Sequence, residues 1–342
     1  MIKVLVVDDS IVMRKVIARI LEKDQQIQVV GTAVDGRDAL EKIESLQPDV
    51  MTLDIEMPVM NGIDVLKQVM SKRPMPVIMM SALTKEGADI TIEALNLGAC
   101  DFITKDFSSS SLSAACIESE LVGKVKDVVK NKTKYLLKRL DAIKKPVTLN
   151  PDKKIKHEIL SIGASTGGPP VLQHILSSLP KDFPVPVVIA QHMPKIFTQS
   201  FAQRLNALSR LEVKEAEDRE VLRAGVVLVA PGDTHISLKR RGRDVFVEFV
   251  NGAQFIYRPS VDLLMSTTAE AYESLSIGVI LTGMGSDGLA GMKELKSKRG
   301  YIIAQNEETC VVYGMPKAVV NANITDAILP VDKIPEEIMR VL

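Results

Sequence analysis

Five short apolar runs recur through the first 104 residues, and the segments between them carry apolar residues at three- and four-residue steps. The runs KVLVV (3–7), IQVVGTA (27–33), DVMTL (49–53), PVIMM (76–80) and DFIT (101–104) have the length and composition of buried strands. VMRKVIARILEK, GRDALEKIESL, GIDVLKQVMS and ADITIEALNLG, which separate them, have helical periodicity. A strand that is apolar along its whole length needs cover on both faces. The alternation therefore predicts an open, doubly wound parallel sheet with helices on either side.

The pattern breaks over residues 106–156, where KDFSSSSLSAAC gives way to a lysine-rich stretch, and it resumes at 157. A chain of 342 residues exceeds what one core usually supports, so two domains are expected. Residues 1–117 form the expected first domain, with the start of the polar stretch as its last helix; 118–156 form a solvated, partly helical linker; and 157–342 form the second domain. In the second domain EILSIG, VPVVIAQ, VVLVAP, SIGVILTG, YIIAQ and ITDAILP read as strands with helices between most of them. Residues 225–250 read instead as short strands joined by the turns PGDTH and RRGRD, an antiparallel insertion. The second domain is thus expected to be a three-layer α/β fold with a mostly parallel sheet.

Composition removes several classes of function. Lys plus Arg and Asp plus Glu both total 43, so the formal net charge is zero and there is no basic footprint for nucleic acid. Aromatic residues make up 4% and tryptophan is absent, which leaves little to stack on bases or sugars. The three cysteines, Cys100, Cys116 and Cys310, have no CxxC spacing and read as reduced thiols. No window has the length of a membrane span and no signal peptide is evident, so a cytoplasmic protein is expected.

In a parallel α/β sheet the residues just past the strand ends share one rim. Asp8 and Asp9 follow the first run, Asp54 ends the third, Ser81 ends the fourth and Lys105 follows the fifth. With strand order 2-1-3-4-5, three carboxylates meet there, an arrangement that suits Mg²⁺ and an aspartate that accepts a phosphoryl group. Through VLVVDDS, MTLDIEMPVMNG, MMSAL and DFITK, this third of the chain resembles the flavodoxin-like receiver domain of response regulators. The resemblance implies Asp54 as phosphoacceptor, Asp9 as a direct Mg²⁺ ligand, Asp8 acting through water, and Glu56 offering its backbone carbonyl. It also implies Ser81, Phe102 and Lys105 as switch positions. Asp106 stands where the family commonly has proline.

The second domain opens on GASTG (163–167), which fits G-x-S-x-G with Ser165 at its centre. Glycines there permit a sharp strand-to-helix turn and leave room for an approaching carbonyl. A phosphate-binding loop and a plain turn with Ser165 as helix cap remain alternatives. The loop lacks the lysine of G-x-x-x-x-G-K-[ST]. A nucleophilic serine needs a base. His192 follows the strand VPVVIA on the same kind of rim and is the first candidate, with His235 second. His157 is expected to be exposed and His174 to sit within a helix. Asp287, in VILTGMGSDGLAGM, is the candidate orienting carboxylate, with a helix-capping role as its alternative.

GASTGGP, AQHMP, APGDTHI, RPSVDLL and LTGMGSDGLAGM together resemble the catalytic domain of the chemotaxis protein-glutamate methylesterases, the CheB family, over 157–342. The resemblance implies a Ser165–His192–Asp287 triad with Thr166 and Met284 near the oxyanion, and no cofactor in the esterase site. Arg258 and Ser260 would lie near the substrate or at a helix start. Methyl-accepting chemoreceptors would be the substrates, with their glutamines deamidated by the same chemistry. A chemotaxis histidine kinase would supply the phosphoryl group, relieving inhibition by the receiver. A monomer that neither binds nucleic acid nor enters the membrane is expected. Two other readings fit the first domain: a phosphorylation-switched interaction module and a receiver coupled to a DNA-binding output. The α/β second half, without an evident helix-turn-helix, opposes the latter.

Overall fold

The computed structural model describes residues 1–105, 111–130, 156–252 and 255–342, with side chains of the 111–130 helix described from residue 117. Asp106 and residues 131–155 of the expected linker lie outside the described residues. The chain divides into two compact units, split between Arg139 and Leu140.

In the first unit β1 (Ile2–Val7), β2 (Ile27–Ala33), β3 (Val50–Asp54), β4 (Val77–Ser81) and β5 (Asp101–Thr104) form one sheet in the order β2-β1-β3-β4-β5. All four pairings are parallel, as the apolar runs require. The helices are α1 (Ile11–Leu21), α2 (Gly36–Leu46), α3 (Gly62–Lys72), α4 (Lys85–Leu97) and α5 (Ser111–Lys130). Ser10, Asp35, Asn61 and Thr84 each cap a helix by accepting backbone N–H bonds. α5 runs on past residue 117 because Leu121, Val125 and Val128 are buried, and it packs on α1, β3 and β5. The buried Lys124 reinforces that packing: its ammonium donates to the carbonyl of Phe102 and pairs with Asp101 at 3.1 Å.

The second unit holds a seven-stranded sheet ordered β14-β13-β12-β6-β7-β9-β8. Its strands are β6 (Ile159–Ala164), β7 (Val187–Gln191), β8 (Glu212–Glu215), β9 (Val226–Val229), β12 (Ser276–Ile280), β13 (Tyr301–Gln305) and β14 (Ala327–Leu329). Every pairing among them is parallel. The stretch 225–250 divides: β9 joins the parallel sheet, and only β10 (His235–Arg241) and β11 (Asp244–Val250) form an antiparallel hairpin. β9 goes to the sheet because all four of its residues are buried, whereas the hairpin is exposed at its tip.

Helices α6 (Gly168–Ser178), α7 (Lys195–Leu208) and α11 (Ile334–Val341) form one packed group, and α8 (Val261–Tyr272), α9 (Leu289–Ser297) and α10 (Met315–Asn321) form another. Leu264, Met265, Met292, Leu295 and Met315 of the second group share a core with Ile159, Val188, Ile280 and Ile302 of the sheet. Each such buried side chain contributes about 1.5–3 kcal/mol relative to exposure. The unit also closes on itself: the N–H of Lys156 donates to the carbonyl of Leu342. His157, expected to be exposed, is instead buried, its Nδ1 2.8 Å from the carbonyl oxygen of Val341 in α11. Its partner lies at the far end of the unit's sequence, so local pattern carries no trace of it.

Candidate active site

β6 is central in the second sheet, flanked by β7 and β12, so three strand ends converge beside Ser165. The pairing Ala164↔Gln191 places Ser165 and His192 as the next residues on adjoining strands, and the N–H of His192 donates to Ala164. On the other side the N–H of Ser165 donates to the carbonyl of Thr282, just past β12. Gly167 makes the turn into α6 with φ +75°, and a Cβ there would lie 2.5 Å from the Val311 side chain. Gly283 is equally confined: a side chain would come within 2.7 Å of the Ser165 Cβ. The glycines seat the serine between two loops, which the motif alone left open.

His192 Nε2 donates to Asp287 Oδ2 at 2.7 Å. Its Nδ1 is buried and makes no hydrogen bond among the described residues, so that nitrogen is the one able to take a proton. Asp287 also accepts from the N–H groups of Val261 (2.8 Å), Asp262 (3.0 Å) and Gly288 (3.1 Å), and lies 3.3 Å from Ser260 Oγ. Burial works against its charge, but the bond and charge from His192 and these N–H donors outweigh it and hold the carboxyl below its usual range. The capping alternative is therefore met in an unexpected form. Asp287 satisfies the first N–H groups of α8, while α9, which follows it in sequence, has no side-chain cap.

The other candidates fall into distinct places. His235 is fully buried: its Nδ1 accepts from the N–H of Ser260 and its Nε2 lies 3.2 Å from the Gly252 carbonyl. It holds backbone rather than a nucleophile. Ser260 caps α8 and Arg258 donates to the carbonyl of Asp233. His174 lies within α6, where its carbonyl accepts from Ser177 and Ser178. The backbone N–H groups of Thr166 and Met284 make no hydrogen bond among the described residues, which leaves two donors on the loops flanking Ser165.

In the first unit, carboxylate oxygens of Asp8, Asp9 and Asp54 lie within 4.8 Å of one another. Lys105 Nζ reaches Asp8 at 2.8 Å and Asp54 at 2.6 Å. Burial, with the adjacent Asp8 charge, pushes the Asp54 carboxyl up to about 6 in spite of Lys105. The Glu56 N–H lies 3.4 Å from Asp54 Oδ1. The Ser81 hydroxyl accepts from Thr91 Oγ1 at 2.8 Å, and Phe102 is buried with the Lys124 ammonium 5.6 Å from its ring centre. Beside the cluster opens a cleft of about 550 Å³, lined by Asp9, Glu56, Asn61, Asp64, Lys67 and Glu93 among others.

Residues 160–338 match the CheB methylesterase family, and residues 4–117 match the response regulator receiver domain. The chain belongs to the CheB methylesterase family. A protein-glutamate methylesterase/protein-glutamine glutaminase of Lawsonia intracellularis is 44% identical, with 100% of this chain and 99% of that protein aligned. The protein of the same name from Thermotoga maritima is 46% identical over 100% of this chain and 98% of its own length. The crystal structure of the Thermotoga maritima CheB methylesterase catalytic domain covers 54% of this chain and 99% of its own, with TM-score 0.54 and 46% identity.

Three residues of this CheB-family site escaped the sequence reading. Gln191 is buried, and its Nε2 donates to the carbonyls of Ser165 and His192, tying the two rim residues together. A glutamine closing an apolar strand directly before His192 was the available signal. Asp262 accepts from the N–H of Gly291, and burial together with the Asp287 charge raises its carboxyl above the usual range. Tyr257 stacks on His192 with ring centres 4.9 Å apart and planes 10° from parallel. No spacing in the sequence points to it.

Proposed function

We propose that the second unit is a protein-glutamate methylesterase that also deamidates glutamine, acting on chemoreceptors, and that Ser165, His192 and Asp287 carry the chemistry. The observation behind this is the His192–Asp287 bond at 2.7 Å on the rim that adjoins Ser165, with Nδ1 left free. Ser165 Oγ attacks the γ-ester carbonyl while its proton passes to His192 Nδ1. Asp287 stabilises the imidazolium and fixes the tautomer with the proton on Nε2. The N–H groups of Thr166 and Met284 serve the developing oxyanion, each worth about 3 kcal/mol of barrier. The imidazolium returns its proton to the departing methoxide, giving methanol. Water then adds to the acyl-enzyme with His192 again as base, and glutamate is released. For a glutamine substrate ammonia departs in place of methanol.

The first unit is proposed to regulate this activity, with Asp54 accepting a phosphoryl group from a histidine kinase. The donor set fits Mg²⁺: three carboxylates within 4.8 Å, one of them strained upward to about 6, form a cluster short of positive charge. Asp8, Asp9, Asp54 and the Glu56 carbonyl would hold the ion, which supplies neutralising charge when bound. Lys105, already paired with Asp8 and Asp54, is placed to bind an added phosphoryl oxygen. Ser81 and Phe102 would read its arrival. Residues between α5 and β6 are proposed to tether the two units, and a monomer in the cytoplasm is the proposed working form.

The test is methanol release from methylated chemoreceptor membranes, with and without a small acyl-phosphate donor and Mg²⁺. Release that rises with the donor supports both sites and their coupling. Ser165→Ala should lower release by about 10³-fold or more. Activity that survives in Ser165→Ala would remove the serine from the reaction.

A further inference from the structure

We propose that Tyr257 is a positioning residue that holds the His192 imidazole in its reacting plane and walls off one of its faces. The inference rests on the reading of Ser165 and His192 given above. His192 is bonded at one edge only, Nε2 to Asp287, while Nδ1 has no partner among the described residues. Held by its Cβ–Cγ bond and by that one hydrogen bond, the ring can still rock about the axis between them, which swings Nδ1 out of its plane. The phenol ring lies parallel to the imidazole at 4.9 Å, so rocking in that direction drives the imidazole into Tyr257.

The neighbours of Tyr257 fix it from both sides. Arg258 donates from its guanidinium to the Asp233 carbonyl at 2.9 Å, and the Ser260 N–H donates to His235 Nδ1 at 3.1 Å. On the other side Phe255 packs on the His235 ring, with centres 5.0 Å apart. Buried His235, passed over as a base, thus anchors both flanks of the segment that presents Tyr257. The phenol also reaches across the catalytic loop. A Cβ at Gly285 would lie 3.2 Å from Tyr257 Oη, so the absence of a side chain there admits the ring beside Met284. Tyr257 spans from the base to the loop carrying one proposed oxyanion donor. At 40% exposure its replacement leaves the core intact.

The test compares Tyr257→Ala and Tyr257→Phe in the full chain. One readout is the rate at which a fluorophosphonate phosphonylates Ser165, the serine oxygen bonding to phosphorus as fluoride leaves, which requires the activated serine but no receptor. The others are kcat and KM for methanol release, and the thermal midpoint. Tyr257→Ala should slow both fluorophosphonate labelling and kcat by about tenfold to a hundredfold, as small misplacements of reacting groups do. KM and the midpoint should change little. Tyr257→Phe keeps the stacked ring and should restore both rates to near the original. Labelling of Tyr257→Ala at the unmodified rate overturns the proposal. So does a change confined to KM, which would make Tyr257 a substrate contact. If His192→Ala labels as fast as the unmodified chain, the reading of His192 as base falls, and this proposal with it.

Discussion

Asp287 meets two demands with one carboxylate: it fixes the imidazole tautomer and it satisfies the first N–H groups of α8. The two duties separate by mutation. Asp287→Asn keeps an acceptor but favours the wrong tautomer, and kcat for methanol release should fall about 10⁴-fold with the fold retained. Asp287→Ala should in addition lower the urea midpoint, because each orphaned buried N–H costs about 1–3 kcal/mol. His235 gives a separate signal. Burial is the main cause holding its imidazole below the usual range, with the Arg258 charge adding to it. The unfolded chain takes up a proton near pH 6.5 where the folded one does not, so stability should fall as pH drops below about 6.5. Urea midpoints at about pH 5 and about pH 7.5 should differ in the unmodified chain, and the gap should narrow in His235→Gln.

Among the elements, the joint between β6 and α8 positions the site. Gly163 in β6 faces Val261 at the start of α8, and a Cβ there would lie 2.2 Å from Val261 Cγ1. Val261 is also the residue whose N–H bonds Asp287. Gly163→Ala should therefore push on the helix that seats the carboxylate, costing about 1–3 kcal/mol of stability. It should also lower kcat, as read by parallel unfolding and methanol-release assays. Which residues stand at strand ends was legible in the sequence, because continuous apolar runs followed by helical periodicity mark those ends directly. Asp8, Asp54, Ser165 and His192 were placed on their rims by that pattern alone. The contacts between rims were not legible. Tyr257 approaches His192 from a loop 65 positions away, and His157 meets Val341 across the whole unit. Such contacts are products of tertiary closure, which leaves no periodic trace. The division of 225–250 did leave a trace in the sequence: β9 is VVLV, apolar throughout as a strand covered on both faces must be, whereas the hairpin strands HISLKRR and DVFVEFV carry charges.

For the whole molecule, each unit has its own sheet, and no helix among the described residues is long and apolar enough to cross a membrane. If the first unit regulates the second through Asp54, Asp54→Ala should abolish the rise in methanol release caused by acyl phosphate and Mg²⁺. The release measured without donor should persist. The hydrogen bond between Lys156 and Leu342 holds the first described residues of the second unit beside residue 342. A regulatory module spliced ahead of residue 156, or behind residue 342, would set out from the same spot on the hydrolase. Exchanging the order of the two halves would thus leave the point of attachment on the second unit unchanged.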